Sequence, residues 1–195
     1  MILSKKDLKE YLDADRIALG RKRQSPKWSD FVWKYEISLR MNEFYTNCRK
    51  SRIWKPIKTY HHIKFVLLGA LCGFELPINC IGKGLSIAHK GTIVMNGCAT
   101  IGENCRLHVG VNIGTVPGCG DVSPSIGDNV YIAPGAKLYG KIKIGSGIVI
   151  GANSVVTRSF EEENICIAGV PARKISNLGR FEMEERNREL YTNRQ

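Results

Sequence analysis

The sequence predicts a mainly β solenoid with a helical region in front of it. Three observations carry that reading. An aliphatic residue recurs at a period of six from Ile81 to Val156. The first 72 residues show helical spacing instead. The chain is 195 residues long, with 43% hydrophobic and 24% charged residues, which is the composition of one globular domain with a small appendage.

The helical region comes first. Ser4 is placed to cap a short helix containing Leu8, Tyr11 and Leu12. Ser29 and Asp30 stand before a longer one with Phe31, Val32, Tyr35, Leu39 and Phe44 in helical register. Pro56 suits the first turn of a third helix that runs to about Cys72, with Gly73 as its stop.

From Ile81 the helical spacing disappears. Twelve aliphatics stand in phase: Ile81, Ile87, Met95, Ile101, Leu107, Ile113, Ile126, Ile132, Leu138, Ile144, Ile150 and Val156. One aliphatic per six residues cannot make an amphipathic helix. It can make three short strands per triangular coil, each sending one side chain inward, in about four coils stacked at sheet spacing. The phase slips twice. Two residues are inserted just after His89, and seven around Thr115 to Asp121. A packed coil cannot absorb extra residues, so both insertions must leave at corners, where functional loops tend to sit. After Val156 come Cys166 to Lys174, and a charge-rich tail from Phe181 reads as a peripheral helix. The expected organisation is 1–72 helical, 73–175 β-helix and 176–195 tail.

Composition limits the classes of function. No apolar run approaches the ~18 residues of a membrane span; the longest candidate is Phe65 to Cys72. The start of the chain lacks the apolar stretch of a secretory signal. Seven cysteines without a C-x-x-C pair fit free thiols in a reducing compartment, so a cytoplasmic location is expected. The net charge is +11, and residues 1–66 hold most of it, with 16 Lys and Arg against 7 Asp and Glu. An anionic substrate or an anionic membrane surface fits that excess. No nucleic-acid motif accompanies it.

The segments Ile87-Ala88-His89-Lys90-Gly91-Thr92, Gly110-Val111-Asn112-Ile113-Gly114 and Ala168-Gly169-Val170-Pro171-Ala172-Arg173, together with the repeats, resemble the serine acetyltransferase family of hexapeptide-repeat acyltransferases. The likeness covers about residues 73–175. It implies a left-handed parallel β-helix, a trimer with active sites between neighbouring subunits, and acetyl-CoA as acyl donor. No metal is expected, because a metal site of the kind found in hexapeptide-repeat carbonic anhydrases needs three histidines, and His61 and His62 lie in the helical region.

Acyl transfer to a hydroxyl needs a base near neutrality, and His89 at its inserted corner suits that work. In the family the matching histidine is the general base. The family's orienting Asp falls on Phe74 here, which leaves Glu75 as the nearest carboxylate. Coil arithmetic puts His108 one coil above Ala88, where it can hold the acceptor, and Asp121 in the long loop is a second acceptor candidate. Family matching assigns Gly114 and Ala152 to the pantetheine arm of the donor. Arg173 and Lys174 are assigned to its 3′-phosphate.

The acceptor side departs from serine acetyltransferases. Ala88 stands where that family has an Asp for the substrate amine. Asp121-Val122-Ser123-Pro124 stands where it has D-R-H-P. These differences resemble the family's capsule and lipopolysaccharide sugar O-acetyltransferase branch, so a sugar hydroxyl is the expected acceptor. Serine, for cysteine biosynthesis, is the alternative. There the tail could dock a partner enzyme, although it ends in Gln195 rather than Ile. A non-catalytic β-helix scaffold is the third reading.

Overall fold

The computed structural model describes residues 1–192, with side chains through Glu189; Gln195, the end of the proposed docking tail, lies outside them. The chain begins with α1 (Lys5–Ala18), α2 (Phe31–Cys48) and α3 (Lys55–Cys72). Each start has a local cause. Ser4 Oγ accepts from Asp7 N at 3.0 Å and caps α1. Asp30 occupies the cap of α2, but its carboxylate is spent on Lys27 N and the Arg23 guanidinium. Pro56 sits in the first turn of α3, and Gly73, at φ 79°, ends it with its N–H on the Gly69 carbonyl.

Thirteen short strands follow in three faces of a left-handed parallel β-helix. Face A stacks β1 (Phe74–Glu75), β3 (Ile93–Met95), β6 (Asn112–Gly114), β9 (Lys137–Tyr139) and β12 (Val155–Val156). Face B stacks β4 (Thr100–Ile101), β7 (Ser125–Ile126) and β10 (Lys143–Ile144). Face C stacks β2 (Ser86–Ile87), β5 (Arg106–Leu107), β8 (Tyr131–Ile132), β11 (Val149–Ile150) and β13 (Cys166–Gly169). β14 (Ala172–Ser176) then turns back antiparallel on β13 and closes that end, and α4 (Arg180–Thr192) follows.

All twelve phased aliphatics lie in these strands or, for Ile81, in a bridge to Ile101, and all are buried. Two faces hold five parallel strands where the period indicates four coils. β1 and β13 extend the stack at its ends, outside the phased run. The corners turn on positive φ. Gly84, Asn104, Asn129, Gly147 and Asn164 line one corner, and Gly91, Gly110, Gly135 and Asn153 another. Glycine and asparagine tolerate that geometry best.

The first coil has no coil below it, so its backbone donors would be buried without partners. Side chains of α1 and α2 take them. Glu43 Oε1 accepts from Asn79 N at 2.7 Å. Asp15 Oδ1 accepts from Gly84 N and Leu85 N at 2.8 and 2.9 Å. Glu36 Oε1 accepts from Ile87 N at 2.9 Å. Arg40, fully buried, donates to the Ile81 and Gly82 carbonyls and pairs with Asp15 and Glu43. Three acidic side chains and one guanidinium thus stand in for a missing coil.

Candidate active site

The site grows from the corner between faces C and A. Register fixes its order: Ile87 pairs with Leu107, Leu107 with Ile132, Ile132 with Ile150, and Ile150 with Ile167. The next residues therefore form a column along one edge, with His89, Val109, Pro134, Ala152 and Gly169 in successive coils. At ~4.8 Å per coil, Ala152 lies roughly 14 Å along the edge from His89. The two extra residues push His89 and Lys90 outward, and both are exposed. Gly91, at φ 141°, keeps the corner close to the stack; a Cβ there would meet Val109 Cγ2 at 2.2 Å.

His108 stands where the coil arithmetic puts it, paired with Ala88 and neighbouring His89, with the two imidazole centroids 6.5 Å apart. It is half-buried and packs on Tyr131 at 4.9 Å between centroids. Burial, then Arg106, then His89 lower its pKa, which favours the neutral ring. Arg106 Nε donates to His108 Nε2 at 3.4 Å, and its Nη1 donates to Ser86 Oγ at 2.9 Å.

Beside Ala88 a cleft of about 170 Å³ opens between this corner and the segment that joins α1 to α2. Arg21, Lys90 and Arg106 contribute its cations, and Phe31 and Trp33 part of its wall. Lys90 Nζ rests over the Phe31 ring, 5.2 Å from its centroid. Asp30 also reaches the cleft, already paired with Arg23. A cleft with this balance suits an acceptor that carries negative charge. Arg21, Arg106 and Tyr131 are absent from the sequence-based set. They follow no motif, and only the coil register or the fold of the helices brings them here.

The remaining candidates divide. Arg173 is paired in register with Ala168 at the far end of the His89 edge, and it is exposed. Lys174 is next to it but ion-paired with Glu162 at 2.5 Å. Gly114 and Asp121 lie at the corner between faces A and B, a different edge of the prism. The loop from Thr115 to Pro124 leaves there, with Asp121 exposed and Ser123 Oγ bonded to Asn96 Oδ1 at 2.9 Å. Within one chain, then, Asp121 and Gly114 are not brought to His89. Glu75 is exposed on β1, opposite Val94 on face A, away from the corner that carries His89. Phe74, at the family's Asp position, is committed to the core against Tyr35, 5.0 Å between ring centroids. Among the described residues no cluster of three His, Cys, Asp or Glu side chains is placed to hold a metal.

The bacterial transferase hexapeptide (six repeats) model matches residues 123–158. The serine acetyltransferase of Staphylococcus aureus strain Mu50 is 39% identical over 139 residues, 65% of this chain and 65% of that one. This chain is similar to the serine acetyltransferases. The likeness extends to solved structures. The Brucella abortus S19 serine acetyltransferase in complex with coenzyme A matches with a TM-score of 0.68 at 25% identity, covering 90% of this chain and 70% of that one. The Neisseria gonorrhoeae enzyme in complex with serine gives 0.66 at 25% identity, covering 89% and 71%. The alignment spans only 65% of the length of the Staphylococcus relative. These relatives are serine acetyltransferases rather than sugar O-acetyltransferases, so the similarity favours the serine alternative over the expected sugar branch.

Proposed function

We propose that this chain transfers an acetyl group from acetyl-CoA to the hydroxyl of a small acceptor, with His89 as general base. The observation that carries the reading is the His89 edge. An exposed imidazole stands at an inserted corner beside His108, at the head of a column that ends near Arg173. His89 takes the acceptor's hydroxyl proton as the oxygen attacks the thioester carbonyl. The C–S bond breaks, and the departing CoA thiolate recovers that proton from the imidazolium. The backbone of the column, including Ala152, suits the donor's extended amide-bearing arm, and Arg173 suits its phosphate. Relatives solved with coenzyme A support that donor.

His89 and the pair Gly114 and Asp121 lie on different edges, which supports a homotrimer whose sites form between neighbours. There the loop from Thr115 to Pro124 covers the acceptor of the adjacent subunit. Serine is the acceptor that the relatives' names support, and Arg21, Lys90 and Arg106 are cations suited to its carboxylate. A sugar hydroxyl is the second reading, favoured by Ala88, which offers no charge to an amine. The test is release of free CoA from acetyl-CoA, followed with a thiol reagent across serine, simple sugars and nucleotide sugars. Stimulation by serine alone supports the first reading, and stimulation by a saccharide alone the second. No release with any acceptor, and no acetyl-CoA binding, would leave a scaffold.

A further inference from the structure

The outer face of α3 is apolar and uncovered. Tyr60, Ile63, Leu67 and Leu71 follow the i, i+3, i+7, i+11 spacing of one helical stripe, and all are exposed, Leu71 at 66%. Ile53, just before the helix, extends the stripe at 79% exposure. The opposite side of α3 is already used: Gly69 and Cys72 are buried, and Phe65 stacks on Tyr35. Among the described residues no helix is long and apolar enough to cross a membrane.

Charge around the stripe has one sign. Between Glu43 and Glu75 the sequence holds no Asp or Glu but carries Arg49, Lys50, Arg52, Lys55, Lys58 and Lys64. Among the described residues none of these six forms an ion pair. Beside the stripe runs a cleft of about 690 Å³ with Ile37, Tyr60, Ile63 and Leu67 in its walls and Lys34 and Lys64 at its polar margin. Apolar side chains beside unpaired cations match the make-up of an anionic lipid, with its acyl chains and charged head group.

We propose that the face from Ile53 to Leu71 docks this protein on an anionic membrane surface. The helix lies in the interface with Tyr60, Ile63, Leu67 and Leu71 inserted, while Arg52, Lys55 and Lys64 meet the head groups. The stripe ends beside the catalytic corner, because the Cys72 carbonyl accepts from Gly91 N, two residues after His89. The proposal does not depend on which acceptor is used.

Co-sedimentation of the full chain with phosphatidylglycerol–phosphatidylcholine vesicles tests it, against vesicles of phosphatidylcholine alone. The protein should pellet with the anionic vesicles, remain in solution with the neutral ones, and be released by high salt. L67Q/L71Q and, separately, R52E/K55E should each weaken binding about tenfold or more. All four positions are exposed, and far-UV circular dichroism checks that the variants fold. No pelleting with either vesicle overturns the proposal, as does pelleting indifferent to lipid charge and to both variants. If instead L67Q/L71Q splits an oligomer in light scattering and the parent never pellets, a second copy covers this face and the membrane reading is wrong.

Discussion

Two charged regions meet at the first coil of the β-helix, and they are built oppositely. Below the coil, Asp15, Glu36, Arg40 and Glu43 are buried, and each bonds to backbone. Beside it, His89 and Lys90 are exposed and Arg21 and Arg106 line a small cleft. Buried polar groups bonded to backbone hold a fold together. Charges in a cleft are free to meet a ligand. Charge near a site therefore does not mark function by itself; what the charge is already bonded to decides. Substitutions below should therefore change stability and spare kinetics, and substitutions beside should do the reverse.

The largest effect separates the regions from the functional side. His89→Ala should lose about 10²- to 10⁴-fold in turnover, the usual worth of a general base. Its melting temperature and acetyl-CoA affinity should stay close to the parent's, since the imidazole is exposed and the donor follows backbone. Glu75→Gln sharpens the point. If Glu75 orients His89, its loss of rate should vanish in a His89→Ala background, because residues acting as one unit are non-additive. Equal losses in both backgrounds would remove Glu75 from the site.

Arg40→Met tests the buried side. It leaves carboxylates buried without their cation and should cost about 3–5 kcal/mol. For a chain of this size that is roughly 6–20 °C in melting temperature. Protein that remains folded should keep the parent's KM values. A variant that melts normally but loses acceptor affinity would mean that Arg40 serves the acceptor site and not the fold.

Much of this was legible in the sequence. The period of six located twelve aliphatics that the structure buries, and coil arithmetic located His108 against Ala88, because a solenoid turns sequence spacing directly into spatial stacking. The Ser4 cap and the Gly73 stop were readable for the same local reason. Other features had no such signal. Asp15, Glu36, Arg40 and Glu43 read as ordinary charges on amphipathic helices, because nothing in their spacing says that the face they share will close a β-helix. Arg106 and Tyr131 occupy outward positions of the repeat, where the period places no constraint. Asp121 and His89 both stand in insertions, and the same coil arithmetic separates them: the Ile87 and Ile113 units hold different places in the three-unit coil, so the two insertions leave from different edges.

A smaller effect is expected from Arg106→Met. The Arg106 guanidinium lowers the His108 pKa, second to burial, so removing it should raise that pKa toward the ordinary histidine value. NMR titration of the His108 ring would follow the change. Acceptor KM should rise with little change in turnover, and stability should fall by less than about 1 kcal/mol, since among the described residues the Arg106 side chain bonds only Ser86 and His108. An unchanged KM would remove the cleft from the acceptor site.

The smallest effect lies on the buried side and shows itself only through pH. Burial first, and Asp15 second, push the Glu36 carboxyl well above the usual carboxylate range, against smaller opposing contributions from Ile87 N and Arg40. Its Oε1 accepts from Ile87 N, and among the described residues its buried Oε2 has no partner. As pH rises past the unfolded carboxyl's ordinary value near 4.5, the unfolded chain gives up this proton while the folded chain keeps it. The folded state then binds more protons, so stability falls with rising pH across that interval. The contribution is complete below the unfolded value and lost once pH passes the raised folded value. Glu36→Gln keeps an acceptor for Ile87 N and has no proton to lose. The variant should match the parent in acid and exceed it as pH rises toward neutrality, giving a flatter curve in urea unfolding at a series of pH values. Some slope should survive, because burial also raises Glu43. Parallel curves for variant and parent would mean that Glu36 is ionised in the folded state at every pH tested, and that the end of the β-helix holds this negative charge as readily as the exposed corner holds its cations.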